Sequence, residues 1–360
     1  MTEPFIEVKD LKVQRGGKTV LDVARLEVKA GEVLAVIGPN GAGKSTLLLA
    51  LSRLLQPPAG ELRYQGELVT SKNEMQYRRR VALVLQESLL MDDTVYYNVA
   101  LGLKLRGAPA SEIESRVQRW LKRLGIAGLA RRRARSLSGG EAQRTSLGRA
   151  FALEPDLLLL DEPFAALDAP TRQSLLEELQ ALLAETRQTA VFITHDLEEA
   201  LMLGQRVAVL LGGQLRQVGQ PDEVFAAPAD PEVAAFVGIE TILPGRVTSS
   251  KYGLVQVALD GALAEALGQA PAGRAVYLCL RPEDITLYPA GAAPVSSARN
   301  RLNGRITRLT PQGPLVRAVI DCGFPVVALV TRASSQEMGL EPGQEVAASF
   351  KASAAHLILR

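Results

Sequence analysis

The stretch that decides the fold is Gly38-Pro39-Asn40-Gly41-Ala42-Gly43-Lys44-Ser45. The apolar run at 33–37 before it predicts a buried strand, and the leucines of residues 47–55 after it follow helical spacing. Glycines let backbone N–H groups turn toward phosphate oxygens, and a helix start adds a positive dipole end. This order predicts a phosphate-binding loop, and the alternative is an accidental glycine-rich turn.

The loop predicts a bound nucleotide, through its phosphates, together with Mg²⁺. Lys44 can reach the β- and γ-phosphates, and the Ser45 hydroxyl suits Mg²⁺, a hard cation that prefers oxygen ligands. The whole loop is expected to contact the nucleotide: Gly38, Pro39, Asn40, Gly41, Ala42, Gly43, Lys44, Ser45 and Thr46.

A second apolar run, residues 157–160, ends in the acids Asp161 and Glu162. Open α/β sheets bind ligands at the carboxyl ends of their strands, so this pair should lie beside the loop. Asp161 is predicted to hold Mg²⁺, and Glu162 to polarise an attacking water. The alternative interpretation is a pair of N-capping acids ahead of Pro163.

Strands alternate with helical patterns up to about residue 238, which predicts a mainly parallel sheet covered on both faces. Residues 88–150 are rich in helix signals, including Ser111 and Glu114 in the form of a capping box. After residue 238 short β-like runs follow, with a faint repeat of residues 243–247 at 302–306. Coincidence is the alternative to that repeat.

Charge and composition narrow the class of protein. The chain of 360 residues carries 41 Lys and Arg against 39 Asp and Glu, so no nucleic-acid partner is expected. Two cysteines do not make a disulfide framework. No apolar run approaches the roughly 18–20 residues of a membrane span, and no secretory signal is visible, which predicts a soluble intracellular protein.

A family resemblance rests on six motifs in a fixed order. Around the phosphate loop and the acid pair stand Gln86, Leu137-Ser138-Gly139-Gly140-Glu141, Ala166-Leu167-Asp168 and Thr194-His195-Asp196. This order resembles the ATP-binding-cassette (ABC) ATPases over residues 1–238. The resemblance implies an α/β fold: a P-loop NTPase cassette with a mainly parallel sheet, an antiparallel β subdomain and a helical subdomain. An all-β, OB-like regulatory region would follow, with lobes at 239–290 and 291–360.

The resemblance also implies a mechanism. Two copies pack head to tail, with ATP between the phosphate loop of one and the signature loop, Ser138 to Glu141, of the other. Asp168 belongs to the same nucleotide site. His195 would contact the γ-phosphate and hold Glu162 and water in register, while Gln86 would touch the Mg²⁺ or the water. Lys44, Gln86, Glu162 and His195 are thus the expected catalytic residues.

Two positions depart from the family pattern. Arg15 stands where the family usually has an aromatic residue stacked on adenine, so a stacked guanidinium and a solvated turn arginine are both open interpretations. GTP as a further substrate stays open for the same reason. Glu141 replaces the commoner glutamine, a variation that the family tolerates.

The tail of the cassette resembles importer ATPases that carry C-terminal β-barrel domains, through residues 222–225, 236–238 and 281–285. This implies a homodimer beneath two integral membrane permease subunits, at the cytoplasmic face of the membrane as a peripheral protein. A periplasmic or extracellular substrate-binding protein would act indirectly. Residues 87–94 would lie near the permease.

The last lobe resembles small oxyanion-binding (molbindin-like) domains of molybdate and tungstate proteins. Ser297, Arg299, Lys351 and Ser353 would supply charge and donors to a tetrahedral anion. From residue 241 onward, 12 Lys and Arg face 8 Asp and Glu. Anion binding there would give feedback regulation, whereas the alternative is a basic-edged barrel without a ligand. Other cargoes (sulfate, ferric iron, polyamine or sugar) and a non-transport oxyanion sensor or store are competing hypotheses.

Overall fold

The computed structural model describes residues 3–291 and 296–360, and the chain divides into two compact units. The first ends at Pro221 and the second runs from Asp222 to Arg360. The structure thus divides the chain earlier than residue 238.

Side-chain contacts explain the position of this division. Arg281 donates from Nη2 to the carbonyl oxygen of Phe225 at 2.7 Å. Ala234 and Ile239 pack with Cys279 and Ile358 in one buried cluster. Residues 222–238 are therefore part of the C-terminal unit, because their apolar side chains are buried there.

A ten-stranded sheet forms the first unit in the part of the chain that the structure describes. Its strand order is β5-β4-β1-β2-β10-β9-β3-β8-β7-β6. The strands are β1 (Ile6–Arg15), β2 (Lys18–Val28), β3 (Val33–Ile37), β4 (Ala59–Tyr64), β5 (Glu67–Leu68), β6 (Val81–Val84), β7 (Leu157–Asp161), β8 (Thr189–Thr194), β9 (Arg206–Leu211) and β10 (Gln214–Gly219).

The centre of this sheet is parallel. β3 pairs in parallel with β8 and β9, and β7 with β6 and β8. Every residue of β3, β7 and β8 is buried, as expected for strands covered on both faces. β1, β2, β4 and β5 pair antiparallel, so the predicted fold class, a mainly parallel sheet with an antiparallel β subdomain, is confirmed.

Helices follow the strands in the first unit and include a helical segment near the predicted 88–150. Trp120 stacks on Phe151 with ring centroids 4.8 Å apart, which joins two of these helices. The helices are α1 (Lys44–Leu51), α2 (Glu74–Arg80), α3 (Val95–Leu105), α4 (Ala110–Arg123), α5 (Gly139–Phe151), α6 (Ala169–Thr186) and α7 (Leu197–Leu203), with 3₁₀ turns at Ala127–Leu129 and Ala134–Ser136.

The second unit holds two antiparallel five-stranded sheets within its described residues. Their orders are β13-β12-β11-β14-β20 and β15-β19-β16-β17-β18. The elements are α8 (Pro221–Ala226), α9 (Pro231–Phe236), β11 (Thr241–Lys251), β12 (Leu254–Ala258), β13 (Leu263–Leu267), β14 (Ala275–Leu280), a 3₁₀ turn at Pro282–Asp284, β15 (Thr286–Pro289), β16 (Asn300–Gln312), β17 (Leu315–Asp321), β18 (Pro325–Thr331), α10 (Arg332–Glu337), β19 (Glu345–Phe350) and β20 (His356–Leu359).

The two lobes predicted from the sequence exchange strands, because each sheet contains one strand from the other lobe. β15, which precedes residue 291, pairs with β19 in the second sheet. β20, at the end of the chain, pairs with β14 in the first sheet. Side chains from both sheets, such as Val276 and Ile320, share one hydrophobic core. The lobes 239–290 and 291–360 are therefore not two sequential folding units in this structure.

Candidate active site

The phosphate-binding loop joins β3 to α1 and depends on glycine at two close contacts. A Cβ atom at Gly38 would lie 2.1 Å from the Leu210 carbonyl oxygen. Gly43, the N-cap residue of α1, has φ +99°, and a Cβ there would lie 2.6 Å from the Val20 carbonyl oxygen. Only glycine fits both places, so the loop can lie tightly against its neighbouring strands.

Lys44 is buried at the start of α1, with its side chain turned over its own loop. Its Nζ donates to the carbonyl oxygens of Gly38 at 2.8 Å and Pro39 at 3.2 Å. It also lies 3.6 Å from Glu162 Oε1. Burial lowers the pKa of Lys44, while the charges of Glu162 and Asp161 act in the opposite direction. The ammonium group is thus held over the loop that would cradle phosphate.

Ser45 and Asp161 place two oxygen ligands side by side. The Ser45 hydroxyl donates to Asp161 Oδ1 at 3.1 Å. Burial raises the pKa of Asp161, and the hydrogen bond from Ser45 opposes that rise. Because a buried carboxylate favours a compensating cation, this pair has the chemistry of a divalent-cation site.

Glu162 and His195 form the next contact, at the carboxyl ends of β7 and β8. His195 Nδ1 lies 3.0 Å from Glu162 Oε2. Glu162 adopts φ +44°, a left-handed conformation that is uncommon outside glycine, directly before Pro163. Such backbone outliers concentrate at functional sites. The structure therefore joins Lys44, Glu162 and His195 in one chain of contacts.

A buried acid, Glu199, contacts the residue that precedes the histidine. The Thr194 hydroxyl donates to Glu199 Oε2 at 2.6 Å and accepts from the Asp196 amide at 2.9 Å. Asp196 in turn caps α7 by accepting from the amides of Glu198 and Glu199. Glu199 is a residue that the sequence analysis missed. Its place in the first turn of α7, five residues after Thr194, was the available signal.

The signature loop forms a reciprocal cap at the start of α5. Ser138 Oγ accepts from the Glu141 amide at 3.3 Å, and Glu141 Oε2 accepts from the Ser138 amide at 2.8 Å. A Cβ at Gly140 would lie 2.6 Å from Thr171 Cγ2, so a larger residue here would have to displace that side chain. The glutamate that departs from the family pattern thus completes a capping box.

Several predicted residues lie apart from the cluster around Lys44. No hydrogen bond or ion pair joins Arg15, Gln86 or Asp168 to that cluster within the described ranges 3–291 and 296–360. Arg15 is exposed at the end of β1, opposite Lys18. The Thr171 side chain lowers the pKa of Asp168 by hydrogen bonding to it. Among the described residues, no hydrogen bond or ion pair joins the signature residues to the cluster either.

The predicted oxyanion residues lie in the second unit. Ser297, Arg299, Lys351 and Ser353 are all exposed. Arg299 pairs with Glu265 through two hydrogen bonds, and this carboxylate raises the arginine's pKa. Sequence reasoning missed Glu265, which reaches Arg299 only because β13 lies beside the start of β16. Arg281, by contrast, donates to the backbone and has a structural contact.

A phosphate-binding loop between strand and helix, with an acid pair at the carboxyl end of β7, two strands away in the same sheet, defines a P-loop nucleoside triphosphatase. Sequence comparisons then identify the family. The family model described as "ABC transporter" matches residues 21–165, and that of the "TOBE domain" matches residues 296–357.

Relatives match over nearly the whole chain. A molybdate/tungstate import ATP-binding protein of Pyrococcus horikoshii is 38% identical over 335 residues, which is 92% of this chain and 93% of the relative. A sulfate/thiosulfate import ATP-binding protein of Caulobacter vibrioides is 38% identical over 310 residues, covering 85% and 88%.

A solved structure agrees with these relatives. The structure of cbiO1 from Clostridium perfringens, part of the ABC transporter complex cbiONQ, superposes with TM-score 0.58 at 30% identity. It covers 65% of this chain and 94% of its own. The chain therefore belongs to the ATP-binding proteins of ABC importers, and the predicted family and ATPase activity are confirmed.

In the parts of the chain that the structure describes, no helix combines the length and the apolar character that a membrane crossing needs.

Proposed function

We propose that the cluster of Lys44, Ser45, Asp161, Glu162 and His195 hydrolyses ATP. The observation that carries this proposal is their joint placement, with Lys44 Nζ 3.6 Å from Glu162 and His195 Nδ1 3.0 Å from the same carboxylate. A buried ammonium beside the loop supports β- and γ-phosphate binding. The carboxylate between the lysine and the histidine is suited to orient a water for in-line attack.

The donor set fits Mg²⁺. Mg²⁺ in phosphate-binding enzymes takes one or two protein oxygens and shares the nucleotide's phosphate oxygens. Ser45 Oγ and Asp161 Oδ1, 3.1 Å apart, are the matching oxygens, and we assign Gln86 as a further contact. Mg²⁺ would supply charge neutralisation of the phosphates. Within the described residues no group of three or more His, Cys, Asp or Glu forms a separate metal cluster.

The signature loop would complete the site in a second copy of the chain. Its capping box uses the amides of Ser138 and Glu141, so the amides of Gly139 and Gly140 stay available at the helix N-terminus for a γ-phosphate. The resemblance to the ABC ATPases supports a head-to-tail homodimer, and we infer that arrangement for this chain. Asp168 and Arg15 are assigned to the same nucleotide site.

The substitution Glu162→Gln tests this assignment. The amide keeps the shape of the side chain but cannot act as a base. We expect ATP binding to persist and kcat to fall by about 100-fold or more in a coupled phosphate-release assay. Glu177→Gln is the matched control, since Glu177 is an acid whose contact is with Gln173 on α6. Near-normal turnover of Glu162→Gln would refute the role.

We further infer that the chain works beneath integral membrane permease subunits at the cytoplasmic face of the membrane. The names of the relatives, import ATP-binding proteins, support this, since import needs a membrane path for the substrate. Residues 87–94 are the proposed permease-facing segment. A substrate-binding protein outside the cytoplasm would deliver the cargo.

We propose molybdate or tungstate as the cargo. The relatives named for molybdate/tungstate support this choice, and the TOBE match spans Ser297, Arg299, Lys351 and Ser353. Sulfate is the second candidate, because relatives named for sulfate/thiosulfate are equally similar. Both cargoes are tetrahedral divalent oxyanions. An anion at Arg299 would have to compete with Glu265, so binding would be coupled to a change in the contact between β13 and β16.

Titration of the purified chain with molybdate, tungstate and sulfate tests the cargo and its feedback role. We expect heat release and a raised melting temperature with molybdate and tungstate. We also expect lower ATPase activity in their presence, because the bound anion would favour a dimer state that cannot close on ATP. Arg299→Ala should abolish the response. The control Arg305→Ala should keep it, since Arg305 is an exposed arginine of the same unit that pairs with Glu345 at 3.1 Å. No response at millimolar anion would remove the regulatory claim and leave the ATPase assignment intact.

A further inference from the structure

The segment just after Gln86 is attached to the signature helix α5 by one arginine. Arg149 donates from Nη1 to the Leu89 carbonyl oxygen and from Nη2 to the Ser88 carbonyl oxygen, each at 3.0 Å. A guanidinium presents its donors in a fixed planar fork, so one side chain fixes two successive peptide groups. Burial lowers the pKa of Arg149, as expected for a cation packed into the protein.

A second side chain of α5 contacts the same segment. The Ser88 hydroxyl donates to Gln143 Oε1 at 2.9 Å, and Gln143 is 3% exposed. Residues 143, 146 and 149 lie three apart on one helix face, and Ser146 Oγ accepts from Arg149 Nη2 at 3.4 Å. The other end of the Gln143 amide, Nε2, has no partner among the described residues, so its bond to Ser88 is the contact that orients it.

Leu89 lies in an unfavourable conformation between these contacts and the next helix. Its φ is +37°, and the residue is 60% exposed. The two carbonyl bonds from Arg149 therefore compensate a backbone shape that side-chain burial does not explain. Asn98 on α3 adds a further attachment, since its Oδ1 accepts from the Met91 amide at 2.7 Å.

A short link, residues 85–87, connects the attached segment to the sheet. β6 ends at Val84, and Ser88 is already bound to α5. The intervening residues 85–87 contain Gln86, so a displacement of α5 relative to β6 must be taken up beside that glutamine. The opposite end of α5 carries Ser138, Gly139 and Gly140, the residues proposed to meet the γ-phosphate of a partner copy.

We propose that Arg149 is a positioning residue that couples the signature end of α5 to the placement of Gln86. Phosphate at the N-terminus of α5 in one site and correct placement of Gln86 in the other site of the same chain would then stabilise one another. The inference rests on the proposed role of Gln86 in hydrolysis. It adds to that role a mechanical connection between the two nucleotide sites that each chain helps to build.

Hydrogen exchange of the full chain without nucleotide tests the attachment. Arg149→Ala should speed amide exchange across residues 86–91 by about tenfold, because two carbonyl bonds are lost. Ser88→Ala, which removes the Gln143 contact alone, should give a smaller increase. Arg144→Ala is the matched control. Arg144 lies on the same helix with its pKa also lowered by burial, yet it bonds Leu124 and Glu178.

A double-mutant cycle tests the consequence for catalysis. Arg149→Ala should lower kcat about tenfold with little change in KM for ATP, and should cost nothing further in a Gln86→Ala background. Arg149→Lys should recover part of the activity, since an ammonium can hold one of the two carbonyls. Arg144→Ala should add its effect independently of Gln86.

The outcomes distinguish a failure of the coupling through Arg149 from a failure of the proposed role of Gln86. If Gln86→Ala leaves kcat unchanged, the proposed role of Gln86 fails. If Gln86→Ala lowers kcat but Arg149→Ala lowers it further by its full amount in that background, the coupling through Arg149 is overturned. It is also overturned if Arg149→Ala leaves the amide exchange rate at residues 86–91 unchanged.

Discussion

At the scale of single residues, the site contains ionisable side chains whose burial disfavours their charged forms. Lys44 and Asp161 are both buried, which disfavours charge on each, and both lie near an opposite charge or a hydrogen-bond donor. Such residues are costly to the free protein, and the phosphate and cation proposed to bind here would offset that cost. Glu162 adds backbone strain at φ +44°. The residue chemistry is therefore what the proposed nucleotide and cation site requires.

Glu199 provides a pH prediction at this scale. Burial raises the pKa of Glu199 above its ordinary 4.5, so ionisation costs the folded state more than the unfolded state. The favourable contribution of Glu199 to the free energy of unfolding is therefore complete at low pH and is lost as pH rises through the folded-state pKa. Glu199→Gln removes that loss while its carbonyl still accepts from Thr194. Its melting temperature should exceed that of the parent chain by more at pH 8 than at pH 4.

Glu198→Gln is the control for that measurement. Glu198 is the exposed neighbour of Glu199 on α7, so its substitution should shift melting equally at the two pH values. A Glu199→Gln melting difference that shrinks as pH rises would contradict the assigned direction.

At the scale of elements, the capping-box pattern in the sequence predicts helix starts only in part. The pattern at Ser111 predicts a capping box, but α4 begins at Ala110 with Pro109 as its N-cap residue and no side-chain cap. Glu112 instead pairs with Arg116 one turn later. The capping box forms at Ser138 and Glu141, at the start of α5. The local motif therefore does not decide a helix start by itself.

At the scale of the whole molecule, the strand exchange in the second unit gives a clear prediction. A fragment of residues 222–360 contains every strand of both sheets and should fold cooperatively in a circular-dichroism melt. A fragment of residues 291–360 lacks β15 and leaves β20 without β14, so it exposes core side chains such as Ile358. We expect it to be unfolded or aggregated. A cooperative melt of the shorter fragment would show that the second lobe is independent.

The sequence by itself determined the cassette and its strand–loop–helix order, and it predicts most of the site chemistry. The predicted site residues follow the ends of buried strands: residues 38–45, the acid pair 161–162 and His195. Because these strands run parallel, their carboxyl ends meet at one edge of the sheet. Only tertiary structure decided the contacts between distant segments. Arg149 with Ser88, Glu199 with Thr194 and Arg299 with Glu265 depend on how helices and strands pack, and the exchange of β15 and β20 depends on sheet pairing. Local patterns specify elements because their spacing is short-range, whereas these pairings are set by burial of apolar surface across the whole unit.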